Sequence, residues 1–152
     1  MSRTATRWAP LTSTVLCLVG LAAAAYLTFE HFTESKTLAC SGKGTFNCLK
    51  VTTSSYSKVL GMPVALLGLI FFVVMTVLCL PPLWRRRSLM IARIRLAAAS
   101  IGMLSVFYLV YVEVFKVDAI CPFCTGVHVV TFLLFALLVI VASGAFAPID
   151  VD

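Results

Sequence analysis

The sequence predicts an all-α integral membrane protein: a four-transmembrane-helix bundle with an extracytoplasmic loop and a short surface helix between helices 1 and 2. Three observations predict it. Of 152 residues, 61% are hydrophobic and 12% charged, against about half and a quarter in soluble domains. Four uncharged runs, Trp8–Phe29, Val59–Trp84, Leu96–Val112 and Ala119–Ile149, hold 22, 26, 17 and 31 residues, where roughly 20 cross a bilayer core. The charges between the runs are segregated by type, arginine in some connections and lysine in others.

Helix 1 is expected at about 10–29, behind Arg3 and Arg7. Its run ends in Ala22-Ala23-Ala24-Ala25, as a cleaved leader would, but exceeds the roughly 7–15 apolar residues of one. It is read as a retained span. The outer loop, about 30–62, carries Cys40 and Cys48 around the turn-rich Ser41-Gly42-Lys43-Gly44. From Leu49 to Leu60 the pattern turns helical, with Val51, Tyr56, Val59 and Leu60 as apolar points, which predicts the surface helix. Gly61 and Pro63 break it, and helix 2 follows at about 63–80, closed by Pro81-Pro82. Helix 3 is expected at about 96–115, with Glu113 near its outer end as an interfacial or packing acid. Helix 4 spans about 122–146. Residues 1–152 thus read as a single membrane domain.

The formal charge of +6 would suit a nucleic-acid partner, but its placement excludes one. Arg3, Arg7, Arg85, Arg86, Arg87, Arg93 and Arg95 share one face of an even-numbered bundle, against Asp150 and Asp152. The opposite face sets five lysines against four acids. By the positive-inside rule the arginine face and both termini are cytoplasmic. The membrane partners are then lipid and whatever meets the outer loop.

Cys121-Pro122-Phe123-Cys124 is the chemical centre of the chain. Pro122 suits the first helical position, which puts Cys121 at the N-cap and Cys124 in the first turn. Free amides and the helix macrodipole there favour thiolate. Such a pair serves redox exchange, half a zinc site, or packing. Cys17 and Cys79 lie inside helices 1 and 2 and read as core residues. Cys40, Cys48, Cys121 and Cys124 all fall on the outer face, where disulfides persist. The spacing of eight between Cys40 and Cys48 is wide for a zinc knuckle. No metal is expected, although a metal clip or two static structural disulfides are the non-enzymatic alternatives.

Cys40-x7-Cys48-Leu49-Lys50-Val51-Thr52-Thr53-Ser54, a proline-led second span and Cys121-Pro-Phe-Cys124 opening the fourth together resemble the vitamin K epoxide reductase family. The resemblance covers essentially the whole chain, in the bacterial form without a fused thioredoxin-like domain. It implies a bundle around a quinone, ubiquinone or menaquinone, with Cys121 and Cys124 as the active site and Cys40 and Cys48 as a shuttle. It implies that Cys124 is the thiolate facing the quinone and that Cys121 exchanges with Cys48. Cys40 then faces a separate thioredoxin-like partner outside the bacterial cytoplasmic membrane. Ser54 matches the family's quinone-bonding serine, and His128, four residues after Cys124, shares its helix face. Val64 and His128 stand where animal members carry asparagine and tyrosine, which disfavours vitamin K epoxide as substrate. The expected function is a quinone-dependent thiol–disulfide oxidoreductase that drives disulfide formation; a vitamin K epoxide or quinone reductase proper is the alternative enzyme.

Overall fold

The computed structural model describes residues 5–33, 48–52, 54–59, 61–86 and 88–145. Cys40 and the Ser41–Gly44 turn lie outside them. The described chain is helical apart from one short hairpin. It runs α1 (Ala5–Thr33), α2 (Cys48–Thr52), a 3₁₀ turn (Ser55–Ser57), β1 (Lys58–Val59), β2 (Met62–Pro63), α3 (Val64–Cys79), α4 (Pro81–Arg85), α5 (Leu89–Val112), a π-helical turn (Glu113–Val117) and α6 (Pro122–Ala145). The two strands pair antiparallel, Lys58 with Pro63 and Val59 with Met62. Gly61 turns between them at φ 81°, a left-handed conformation that glycine adopts without a Cβ penalty.

Among the described residues, three helical segments are long and apolar enough to cross a membrane: Trp8–Thr33, Leu89–Val117 and Pro122–Ser143. The fourth apolar helix, Val64–Cys79, has 16 residues, about 24 Å at 1.5 Å per residue. α1 packs against α3 and α6, and α5 against α6 and α3, so the four long helices close a ring. Large apolar side chains point outward all round it, among them Leu11, Ile101, Leu104 and Ile140, each more than 60% exposed. A water-soluble protein would not leave such a belt uncovered. It is the surface of a helical membrane protein.

Inside the ring, Cys17 of α1, Met75 and Cys79 of α3, Ala99 of α5 and Leu134 and Leu138 of α6 form one core. A second cluster joins Leu27, Cys48 and Cys121 at the other end of α1. Backbone groups in a bilayer must find partners within the protein, and the end of α3 illustrates how. Pro81 and Pro82 cannot extend the ladder, so the last carbonyls of α3 need other donors. Arg95 Nε donates to the Leu78 carbonyl at 2.7 Å, and the Thr14 hydroxyl lies 2.8 Å from that of Cys79. The Arg95 guanidinium also sits 4.2 Å from the Trp84 ring centre, a cation–π contact.

That arrangement corrects two expectations. α5 begins at Leu89, seven residues before the predicted start of helix 3, because Arg95 is turned inward, 5% exposed, rather than belonging to a polar connection. Arg95 is therefore a structural cation, while Arg85, Arg86 and Arg93 remain exposed. The predicted surface helix over 49–60 is also shorter. Its first turn survives as α2, but the chain then passes through the 3₁₀ turn into the hairpin. Ser54 and Ser57 tie this region locally, donating to the Val51 and Ser54 carbonyls at 2.9 and 2.7 Å. Such side-chain bonds compete with continued helix.

Close helix approach depends on two glycines. A Cβ at Gly20 of α1 would overlap the Phe72 ring of α3, and one at Gly102 of α5 would come within 2.8 Å of two Phe71 ring atoms. Small residues of this kind set interhelical distance in membranes. Gly20→Val is expected to lower unfolding stability in detergent by about 1–3 kcal/mol. An unchanged thermal midpoint would contradict the packing described.

Candidate functional site

α6 begins as Pro122 dictates. The Cys121 carbonyl accepts the first helical bond from the Thr125 amide at 2.8 Å, and the Thr125 hydroxyl approaches it at 3.0 Å. The Cys124 amide donates to Cys121 Sγ at 3.2 Å, so the sulfur occupies the place of an N-capping side-chain oxygen. Cys121 and Cys124 are both free thiols here. The Cys121 thiol is held below the ordinary range, chiefly by a hydrogen bond from the Cys124 side chain and further by the Cys124 and Phe123 amides. Burial and the Glu113 carboxylate work against this. In the reduced pair it is thus Cys121 whose charge the helix start favours, where the family resemblance assigns the thiolate to Cys124.

The two sulfurs face different surroundings. Cys121 is fully buried and packs in one cluster with Cys48 and Leu27, closed over by Val51 and Phe123. Phe123 leans on Tyr26 of α1 with ring centres 5.1 Å apart. Cys48 is disulfide-bonded, and its partner lies outside the described residues. Cys124 instead lines a cavity of about 700 Å³ enclosed by α1, α3, α5, α6 and the segment between α2 and α3. That volume falls within the range of small-molecule sites. Its wall is mostly apolar and includes Phe71, Phe72 and Val64.

Polar groups interrupt that wall, among them Ser54, His128, Glu113, His31, Tyr56 and Tyr108. Ser54 is where the motif puts it, but its hydroxyl proton is committed to the Val51 carbonyl. It would have to rotate to bind a ligand carbonyl. His128 is buried one turn below Cys124 and reaches the same cavity. The structure therefore brings Cys48, Cys121, Cys124, Ser54 and His128 into one contiguous region; Cys40 is outside the described residues. No group of three or more metal-ligating side chains gathers among the described residues.

Glu113, expected from the sequence as an interfacial or packing acid, is 6% exposed and lines the cavity. The available signal was a lone acid in an otherwise apolar span, which is costly unless used. His31 and Tyr108 were not singled out, because nothing in their spacing fixes which side of a helix they take.

This geometry is a dithiol at a helix start, one sulfur toward a buried cysteine of a connecting loop and the other toward an apolar chamber. It can pass electron pairs between thiols and a flat hydrophobic acceptor. The family model for the vitamin K epoxide reductase family matches residues 11–139 of the chain. No individual curated protein matches it.

Proposed function

Because the chain belongs to the vitamin K epoxide reductase family, a family of membrane oxidoreductases that use quinones, we propose that it re-oxidises a thioredoxin-like disulfide donor and passes the electrons to membrane quinone. The observation that carries this is the division of the dithiol, Cys121 beside Cys48 and Cys124 on the cavity wall. A reduced partner would attack Cys40 and leave with a new disulfide, converting the Cys40–Cys48 bond to thiols. Cys48 would then attack Cys121 of the Cys121–Cys124 disulfide and release Cys124 as the leaving sulfur, and Cys40 would attack Cys48 in turn, re-forming the loop disulfide and freeing Cys121. Closure of the Cys121–Cys124 disulfide gives up two electrons and two protons, which convert quinone to quinol. Each partner disulfide formed thus consumes one quinone.

Within the cavity, Ser54 and His128 are the groups that would orient the quinone carbonyls, and the phenyl rings would hold its apolar body. Val64, where animal members carry asparagine, adds only apolar surface. That supports a quinone rather than an epoxide as the acceptor. The proposed topology has α1, α3, α5 and α6 as four spans of a single membrane domain over 1–152, with α3 shorter than its neighbours. The arginine-rich connection and both termini face the cytoplasm of a bacterium, and the four redox cysteines face outward.

Membrane vesicles test function and orientation together. A reduced thioredoxin-like protein added to right-side-out vesicles carrying this chain should be oxidised, with matching loss of quinone absorbance. Oxidation confined to everted vesicles would reverse the topology. No quinone-dependent oxidation in either preparation would overturn the function.

A further inference from the structure

α5 does not end as an ordinary helix. Its last turn widens into the π-helical segment Glu113–Val117, after which Asp118 takes a left-handed conformation at φ 49°. The Glu113 carbonyl accepts the Asp118 amide and, at 3.4 Å, that of Ala119. Glu113 and Val117 face inward while Val114, Phe115 and Lys116 face out. π-turns are rare and concentrate where a side chain must be aimed for function. Here the turn brings a carboxyl group to the wall of the chamber that Cys124 and His128 also line. On its other side, Glu113 borders a second recess of about 400 Å³ between α5 and α6, again with His128 and with Thr125. Glu113 and His128 thus form a polar partition between two cavities. A buried acid without a task would be costly in this setting.

The reaction proposed above leaves a proton requirement unassigned. Quinone needs one proton at each of its two oxygens. If the reduced pair reacts as Cys121 thiolate and Cys124 thiol, it holds only one of them.

Building on that quinone-reducing reading, we infer that Glu113 is the second proton donor: its carboxyl holds the proton that has left Cys121 and delivers it to a quinone oxygen. The step balances. Cys121 thiolate, Cys124 thiol, Glu113 carboxylic acid and quinone become the Cys121–Cys124 disulfide, Glu113 carboxylate and quinol. Two electrons leave the sulfurs. One proton comes from Cys124 and one from Glu113, and net charge is unchanged. The next incoming dithiol brings two protons, one of which restores Glu113. A charged Glu113 opposes the Cys121 thiolate. Other titratable groups on the surrounding elements are Cys124 and His128 of α6, His31 of α1, Lys50 and, once its disulfide is reduced, Cys48 of α2, Tyr56, and Tyr108 and Lys116 on its own element.

The test uses the full chain, dithiothreitol as donor and a short-chain ubiquinone as acceptor. Glu113→Gln keeps shape and removes the proton. It should lower kcat about 100-fold while KM for the quinone stays within about threefold. Glu113→Asp should recover part of the rate. A second readout needs no quinone: alkylation of Cys121 in the reduced protein, followed against pH. In Glu113→Gln its inflection should move down by about one pH unit, because the opposing carboxylate is gone. An unchanged kcat overturns the inference, and so does a lower kcat with an unmoved inflection, which marks a structural role. If the glutamine variant does not fold, an inflection that fails to move in Glu113→Asp, together with full kcat, overturns it equally. Failure of the unmodified protein to reduce quinone overturns the functional reading itself, and the Glu113 role with it.

Discussion

Serine at Cys124 or at Cys121 is expected to stop quinone reduction, by at least about 1,000-fold, with either a protein donor or a small dithiol. The chemistry requires a sulfur pair that can close to a disulfide, and a hydroxyl cannot take part. The structure makes the experiment clean at Cys121. Its sulfur accepts the Cys124 amide at 3.2 Å in the position of an N-cap, and serine is among the preferred residues there. Cys121→Ser should therefore keep its fold, with stability changed by less than about 1 kcal/mol. Cys124 stands on the cavity wall, and its replacement removes one atom's polarisability without opening a void. Turnover within tenfold of the parent in either variant would show that electrons reach quinone by another route.

The second large effect separates the two cysteine pairs. Cys48 packs beside Cys121 in the cluster capped by Val51 and Phe123, and neither of the two lines the chamber. Cys48→Ser or Cys40→Ser should abolish oxidation of the protein partner yet leave dithiothreitol-driven quinone reduction largely intact, since a small dithiol can enter the chamber and reduce the pair at Cys124. Disulfide exchange passes through a mixed disulfide that a neighbouring thiolate resolves. Cys48→Ala removes that thiolate, so a covalent adduct with the thioredoxin-like partner should accumulate through Cys40. Cys40→Ala should give none, because Cys48 then pairs inward. Non-reducing gels with mass spectrometry of the shifted band distinguish these outcomes. An adduct through Cys48 or Cys121 with Cys40 free would reverse the relay order.

Much of this protein is legible in its sequence because a membrane imposes simple rules. Each of the four uncharged runs overlaps one of α1, α3, α5 and α6, and α6 starts at Pro122. The failures have a common cause. A rule that treats charge as polar surface cannot see charges used inside. Arg95 donates to the Leu78 carbonyl and lies over Trp84, so α5 starts well before the uncharged run does. Glu113, expected as an interfacial or packing acid, is buried, and its direction depends on the π-turn that widens the helix there. Pattern also cannot weigh local side-chain bonds against helix, and Ser54 and Ser57 decide that contest after α2. The cysteine motifs and the family resemblance assign Cys121 to the loop and Cys124 to the quinone; the packing puts Cys121 beside Cys48 and Cys124 on the chamber wall.

A single-turnover measurement tests the central claim most directly. The fully reduced protein is mixed anaerobically with an equimolar short-chain ubiquinone, with no donor present. Quinol is read by absorbance, and the disulfides formed are mapped by mass spectrometry after acid quench. The account predicts that the first disulfide to form joins Cys121 and Cys124, one for each quinol produced, before any bond to Cys48 appears. Quinol formed while Cys124 remains a free thiol, or no quinol at all from the reduced protein, would contradict it.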